Sequence, residues 1–303
     1  VLRRWAKWLV LISVLLLVMV KLCGAEGGGA RRWFRLGGFN VQPSEFAKLA
    51  LVIYVADFLD RKRELVRRLW EGFAPPLIVA GVMAGLILVQ PDLGSAVVIG
   101  AIALLLLVLA KARWQHVSGA VALGGVALAL LIAKEAYRQR RMLAFLNPWQ
   151  DPQGAGFQIV QSYVALANGG LVGQGLGASV QKLFYLPSAH TDFIFAVIGE
   201  ELGLLGTTAV LGLFAVWISC CIRMAYMATD PFRKYLISGC VGLMGFEAIV
   251  HIAVVTGMMP TKGLPLPMIS YGGSAMVANC LACALMLQAS RNSHAEWRMR
   301  HAE

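Results

Sequence analysis

The sequence predicts an all-α, polytopic membrane protein, and three observations support this fold class. The 303-residue chain is 58% hydrophobic and only 14% charged. Its mean hydropathy is +0.69, and a soluble domain of that composition would expose large apolar surfaces. The apolar residues also form segments close to the roughly 20 residues that a helix needs to cross a bilayer core. We therefore expect a helix bundle that forms a single membrane domain over residues 1–303.

Eight segments meet or nearly meet this length requirement. We predict transmembrane helices near residues 8–22, 44–60, 73–90, 94–110, 115–133, 193–222, 235–257 and 270–289. Basic residues cluster in alternate loops between these segments, and short loops rich in Lys and Arg stay in the cytoplasm. The net charge of +11 is therefore explained by membrane topology and not by nucleic-acid binding. The six cysteines lie in or beside apolar segments, so neither a disulfide framework nor a zinc site is predicted.

Residues 134–192 separate the fifth and sixth apolar segments and are expected to form a large extracytoplasmic loop. This stretch is too long for a simple connection and too rich in Trp, Phe and Leu for a disordered one, so it should fold onto the membrane. Within it, residues 168–177 are rich in glycine, but no strand precedes them and no Lys-Ser/Thr pair follows. We interpret them as tight turns that pack backbone against the helices, and not as a nucleotide-binding loop.

Asp192 lies where this loop gives way to the sixth apolar segment. Its helical neighbours at three and four residues are Phe195 and Ala196, so its own helix offers no second carboxylate at contact distance. This pattern suits a single general base and not the acid and base pair of a glycosidase. The position equally suits an Asp that caps the helix N-terminus. The residues alone leave both roles open.

Cations also gather on the face predicted to be extracytoplasmic, against the usual bias toward the cytoplasm. Either an anionic ligand or anchoring to lipid headgroups would explain them. The cations in question are Arg31, Arg32, Arg35, Arg138, Arg140, Arg141 and Lys182.

Other ionisable residues fall at the ends or in the interior of apolar segments. Glu45 and Lys48, three residues apart, share one helix face and can pair, either for function or as a structural ion pair. Asp92 is expected to serve a turn or helix cap. Lys262 lies in a Pro- and Gly-rich stretch, whose backbone must be buried in protein or line a cavity. Four further residues are expected to bridge helices or line a water-filled cavity, namely Glu200, Glu201, Glu247 and His251.

Eight motifs, spread in order over nearly the whole chain, resemble the SEDS family of bacterial cell-wall polymerases. They are Arg32-Trp33, Gln42-Pro-Ser-Glu-Phe46, Gln90-Pro-Asp-Leu-Gly94, Ala144-Phe-Leu-Asn-Pro-Trp-Gln-Asp-Pro152, Gln181-Lys-Leu-Phe-Tyr-Leu-Pro187, His190-Thr-Asp-Phe-Ile-Phe195, Glu200-Glu-Leu-Gly203 and Ser270-Tyr-Gly-Gly-Ser274. Pro260-Thr-Lys-Gly263 and Gln181-Lys-Leu183 are similar to the division branch of the family. Members of the elongation branch usually carry threonine where Lys262 stands.

The resemblance implies a ten-helix bundle, so that two helices are expected before Val1. It also implies peptidoglycan glycosyltransferase activity that polymerises lipid II into β-1,4-linked strands, with inversion and release of undecaprenyl pyrophosphate, in septal cell-wall synthesis. The expected location is the bacterial inner membrane at the division septum, with the active site on the extracytoplasmic face. A lipid II flippase or a non-catalytic scaffold of the division machinery is the alternative.

The resemblance places the family's catalytic aspartate on Asp192 and its lipid-handling Glu and Lys on Glu45 and Lys48. Asn40 is uncharged where some relatives carry Arg, which weakens a phosphate contact there. The implied partners are lipid II, the nascent glycan strand, a class B penicillin-binding protein of the FtsI type and other division proteins, and a divalent Mg or Mn ion would suit the chemistry. The expected substrate-binding residues are Arg32, Gln42, Glu45, Lys48, Arg138, Arg141, Gln181, Lys182, His190, Lys262 and Ser270.

Overall fold

The structure is a computed structural model that describes residues 2–27, 30–37 and 39–300. Ten α-helices, one small sheet and four short 3-10 or π-helical segments make up the regular structure of these residues. The helices are α1 (Leu2–Cys23), α2 (Pro43–Arg61), α3 (Ala74–Val89), α4 (Leu93–Leu109), α5 (Trp114–Lys134), α6 (Ala136–Leu146), α7 (Phe157–Gly169), α8 (Ile194–Met227), α9 (Pro231–Val255) and α10 (Gly273–Arg300). The antiparallel strands, in the order β1-β2-β3, are β1 (Ala25–Gly27), β2 (Ala30–Leu36) and β3 (Phe39–Val41).

The apolar helices confirm the predicted fold class of an all-α, multi-pass membrane protein. Among the described residues, six helical segments are long and apolar enough to cross a membrane: Leu2–Cys23, Leu69–Val89, Trp114–Lys134, Ile194–Met227, Pro231–Val255 and Gly273–Arg291. Two further helices coincide with predicted segments. Helix α4 is apolar but has 17 residues, and the 19 residues of α2 include several ionisable side chains. Each of the eight predicted segments therefore contains a helix.

The described residues cluster into two compact units. The first unit combines the chain up to Ser118 with Ile218–Gly245 and the chain from Gly273 onward. The second unit consists of Gly119–Trp217 and Phe246–Gly272, and it contains nearly all of the predicted loop and Asp192. The assignment of both units to one membrane domain stays a prediction.

In the first unit, the turn between α3 and α4 is held by side chains that satisfy backbone groups. Lys21 Nζ donates to the carbonyl oxygen of Val89 at 3.0 Å, and Arg32 donates to the carbonyls of Gln90 and Pro91 at 2.8 and 2.6 Å. Carbonyls at a helix C-terminus lack intrahelical partners, and cations are favoured there. At the start of α4, Asp92 Oδ1 accepts from the backbone N–H of Ser95 at 3.0 Å. The predicted capping role of Asp92 is confirmed.

In the second unit, the predicted loop is ordered and contains α6 and α7. Its glycine-rich stretch enters a break in α8, where Gly203 adopts φ 66° and ψ −162°. In an unbroken helix, the carbonyls of residues 200 and 201 would accept from the N–H groups of residues 204 and 205. Here the loop supplies all four partners: Gln174 N–H to Glu200 O (2.9 Å), Gly175 N–H to Glu201 O (3.0 Å), Leu204 N–H to Gly170 O (2.9 Å) and Leu205 N–H to Leu171 O (3.1 Å). The expectation that this stretch packs its backbone against a helix is confirmed.

We predict that Gly203→Ala strongly destabilises the second unit. A β-carbon on Gly203 would lie 2.5 Å from the backbone nitrogen of Gly173, and its positive φ is strained for any residue with a side chain. We expect a loss of about 1–3 kcal/mol or more, measured as a lower midpoint of thermal unfolding in detergent. The matched control is Gly212→Ala in the same helix, where a β-carbon meets nothing within 4 Å. Equal midpoints for the two variants would contradict the account of the break.

Candidate active site

The segment between α9 and α10, residues 257–272, which we call the strap, is an irregular chain held by polar contacts to its backbone. His251 Nδ1 donates to the carbonyl of Leu264 at 2.8 Å. Arg141, on α6, donates to the carbonyl of Thr261 at 3.2 Å. Leu264 is 2% exposed and Thr261 6%, so these backbone groups need protein partners. These contacts hold the strap in a defined position within the second unit.

Asp192 projects from a tight turn that leads directly into α8. Ser188 adopts a positive φ of 59°, and its carbonyl accepts from the N–H groups of Thr191, Asp192 and Phe193 at 3.1, 3.0 and 3.3 Å. Phe193 is buried and α8 begins at Ile194. Asp192 itself is only partly buried. The turn thus fixes the backbone of Asp192, and the residue as a whole keeps part of its surface exposed.

Ser270 joins the strap to this turn. Its hydroxyl donates to the carbonyl of Thr191 at 2.6 Å and accepts from the N–H of Leu266 at 2.8 Å. The neighbouring N–H of Tyr271 donates to the carbonyl of His190 at 2.9 Å. The hydroxyl group of Ser270 thus positions Thr191, the residue next to Asp192. The side chain of His190 is exposed.

Gly263 brings the strap against the carboxylate. A β-carbon on Gly263 would lie 3.2 Å from Asp192 Oδ2 and 3.7 Å from Oδ1. The preceding residue is Lys262, whose side chain is partly buried. Among the described residues, none forms a hydrogen bond or ion pair with its ammonium group. Burial lowers the pKa of Lys262, because desolvation disfavours the charged form. An anion that reached this ammonium would relieve that cost.

A second set of predicted residues lies in the first unit. Lys48 Nζ donates to Glu45 Oε1 at 2.9 Å, and both side chains are buried, which confirms the predicted pair. A buried pair of this kind is costly to break, since removal of one partner leaves an uncompensated charge. The side-chain amide of Gln42 donates to Ser44 Oγ at 3.0 Å. Arg32 is held by the two carbonyls at the end of α3.

Gln181 and Lys182 are fastened to α8. Lys182 Nζ forms an ion pair with Glu201 Oε1 at 2.6 Å and donates to the carbonyl of Gly177 at 2.7 Å. Glu200 Oε2 accepts from the N–H of Gln181 at 3.2 Å and from the hydroxyl of Ser179. The expectation that Glu200 and Glu201 bridge helices or line a cavity is corrected by this geometry. They hold a loop, because residues 177–182 double back onto the helix.

Of the predicted residues in the second unit, the structure groups four around the strap and its contacts: Arg141, His190, Lys262 and Ser270, beside Asp192. Arg138 instead donates to the carbonyl of Leu131 near the end of α5 at 2.9 Å. In residues 2–27, 30–37 and 39–300, no group of three or more His, Cys, Asp or Glu side chains is arranged to hold a metal ion. The divalent cation stays a prediction. Sequence reasoning missed Gly263, although its position directly after Lys262 was the available signal.

We predict that Gly263→Ala lowers activity while it leaves the fold intact. Gly263 is exposed and its φ lies outside the positive range, so alanine costs little backbone strain. The added methyl group must instead displace the Asp192 carboxylate by a few tenths of an ångström. Because such small misplacements are costly in catalysis, we expect about a 10- to 100-fold lower turnover with an unchanged thermal midpoint. Gly124→Ala, where a β-carbon has open space, is the control. Turnover equal to that of this control would refute the close approach.

Comparison with known proteins identifies relatives over almost the full length of the chain. The family model FTSW_RODA_SPOVE, described as "Cell cycle protein", matches residues 1–295. A protein of Geobacter metallireducens named "Probable peptidoglycan glycosyltransferase FtsW" is 46% identical over 293 residues, which cover 95% of this chain and 78% of the relative. A protein of Trichlorobacter lovleyi with the same name is 46% identical over 290 residues, with 95% and 76% covered.

Solved structures agree with these relatives. A chain from a peptidoglycan synthase complex, described as coordinating polymerization and crosslinking, has a TM-score of 0.78 at 32% identity, with 96% of this chain and 82% of that chain covered. The rod shape determining protein RodA of Thermus thermophilus has a TM-score of 0.71 at 30% identity, with 96% and 79% covered. The chain therefore belongs to the FtsW, RodA and SpoVE family of cell cycle proteins.

Proposed function

We propose that this protein is a peptidoglycan glycosyltransferase that polymerises lipid II into β-1,4-linked glycan strands. The observation that carries the proposal is the partly exposed Asp192, whose carboxylate lies against the backbone of Gly263. The adjacent Lys262 is partly buried, and no described residue pairs with its ammonium group. One base and one cation within a single folded site are the groups that this reaction needs. The names of the relatives, which describe peptidoglycan glycosyltransferases, support the same activity.

The reaction uses Asp192 as a general base. The acceptor lipid II presents a sugar 4-hydroxyl, and its proton passes to a carboxylate oxygen of Asp192 as the hydroxyl oxygen attacks the anomeric carbon of the donor. The bond from that carbon to the α-linked pyrophosphate breaks, and the electron pair leaves with undecaprenyl pyrophosphate. Attack from the opposite face inverts the centre to a β-1,4 bond. Because pyrophosphate leaves as a stable anion, no second carboxyl group is needed to protonate it.

The departing diphosphate needs positive charge, and Lys262 is the best placed of the predicted cations to supply it. Arg32 and Arg141 are bonded to backbone carbonyls, and Lys182 is paired with Glu201. We assign each of those three to holding its own local fold. Glu45 and Lys48 form a buried polar pair in the first unit that suits the polar part of a lipid substrate. A bound Mg²⁺ or Mn²⁺ ion would add charge to stabilise the leaving diphosphate.

A class B penicillin-binding protein of the FtsI type is the proposed partner, together with other division proteins, and the inner membrane at the septum is the proposed location. Similarity to a chain of a peptidoglycan synthase complex supports a crosslinking partner. The name FtsW of the relatives supports the division role over the elongation role. The charge pattern of the loops supports an active site on the extracytoplasmic face.

We predict that Asp192→Asn abolishes glycan polymerisation while it retains lipid II binding. Asparagine preserves the shape of the side chain but cannot accept the proton, so the rate should fall by about 10²- to 10⁴-fold. The assay follows polymer formation from purified lipid II by the full-length protein, with and without its penicillin-binding partner, and binding is measured in the same detergent. Polymer formation at the wild-type rate would remove Asp192 from catalysis.

The same assay separates the competing functions. A flippase predicts lipid II translocation in vesicles that survives in Asp192→Asn and no polymer from the wild type. A scaffold predicts no polymer from the wild type with any partner. Cations and buried carboxylates would serve a transporter as well, so polymer formation by the purified wild-type protein is the deciding measurement.

We predict that Lys262→Arg moves the alkaline limb of the pH–rate profile to higher pH. The pKa of Lys262 is lowered, so its positive charge is lost as the pH rises through a value below that of an ordinary lysine. Arginine stays charged throughout this range. Lys62→Arg, at an exposed lysine of the first unit, is the control and should leave the profile unchanged. An alkaline limb that does not move in Lys262→Arg would exclude Lys262 as the group that titrates.

A further inference from the structure

The surroundings of α8 change abruptly at the break. Before Gly203 the helix is mostly buried by protein, with Phe195 2% exposed and Val197 5% exposed. Directly after it, Leu204 is 54% exposed and Leu205 65% exposed. An apolar run of residues 204–222 then continues to Arg223. Its 19 residues span about 28 Å as a helix, which matches the roughly 30 Å hydrocarbon core of a bilayer. The lipid-exposed part of α8 therefore begins just after the break at Gly203 and ends near Arg223.

The loop that fills the break is apolar on its outer surface. We call residues 170–176 the apolar finger. Leu171, Val172 and Leu176 are 69%, 74% and 81% exposed. Three exposed, large apolar side chains within six residues are unusual on a surface that faces only water. The finger therefore presents a small apolar patch directly beside the exposed Leu204 and Leu205, to which its backbone is bonded.

Several polar groups of the apolar finger have partners within the protein. Four of its backbone groups form the hydrogen bonds that close the break in α8. The N–H of Gly173 donates to the carbonyl of Gly169 at 2.7 Å. The side-chain amide of Gln174 donates to the carbonyl of Asn168 at 2.8 Å. Irregular backbone is tolerated next to hydrocarbon only when its polar groups have such partners, and the backbone groups that close the break in α8 meet this condition.

We propose that the apolar finger is a membrane anchor that inserts Leu171, Val172 and Leu176 among phospholipid acyl chains, at the border of the leaflet away from Arg223. Lipid fits this surface better than a protein partner does, because the patch is continuous with the exposed start of a membrane-spanning run. A lipid contact also gives the anchor a mechanical role. The finger is bonded to α8 about 15 Å along the axis from the start of the helix. Asp192 lies just before that start. The anchor would therefore fix the height of the Asp192 carboxylate above the acyl chains.

The test is photo-crosslinking of the full-length protein in vesicles of phosphatidylethanolamine and phosphatidylglycerol. A benzoylphenylalanine residue replaces Leu176 in the finger. Leu213, 70% exposed within the apolar run of α8, is the positive control, and the exposed Gln153 in the polar part of the loop is the negative control. Irradiation is followed by digestion and by mass spectrometry of lipid adducts.

We expect phospholipid adducts at position 176 in a yield similar to that at position 213 and about tenfold or more above that at position 153. The attachment points should lie nearer the headgroup at 176 than at 213. A yield at 176 no higher than at 153, or cross-links at 176 chiefly to another protein, would overturn the anchor. The outcome is independent of catalysis, since Asp192→Asn vesicles should give the same adducts.

Discussion

The irregular backbone of a membrane protein must find hydrogen-bond partners inside the protein, and this constraint shapes both units of the chain. At the end of α3, Lys21 and Arg32 supply donors to carbonyls that lack partners within the helix. At Gly203, a glycine-rich loop replaces the lost bonds of α8 one for one. In the strap, His251 and Ser270 do the same with their side chains. Each of these three irregular segments thus has specific hydrogen-bond partners within the protein.

This constraint also gives structural partners to several of the residues predicted to bind substrate, whose substrate contacts stay predictions. A guanidinium that serves two carbonyls, as Arg32 does, has fewer donors left for a phosphate. Lys182 is in an ion pair with a carboxylate, so its charge is already compensated. Lys262 differs because its partial burial removes water from the ammonium group, and this desolvation lowers its pKa. A site that must hold a diphosphate gains most from a cation whose charge is not yet matched.

The sequence predicted those structural features that depend on contacts between residues close together in the chain. Helix positions followed from hydropathy, and the cap of α4 followed from Asp92 and the N–H three residues later. The strands between residues 25 and 41 are short, and the Gly and Arg residues in this region hide the alternation of apolar and polar side chains. The break in α8 was also hidden, because the hydrogen-bond partners that close it are 26 to 34 residues apart in the chain. Glu200 and Glu201 were misassigned for the same reason.

Asp192 was predicted from a motif, but its setting depends on contacts that no motif specifies. Two irregular segments, the turn at Ser188 and the strap, fix the backbone at Asp192 through backbone carbonyls and the hydroxyl of Ser270. Loops carry catalytic groups well when such contacts hold them. The missing side chain of Gly263 lets the strap approach one side of the carboxylate, and a substrate hydroxyl must then come from another side. In the proposed reaction, a general base that is open on one side restricts the direction from which the acceptor hydroxyl can approach.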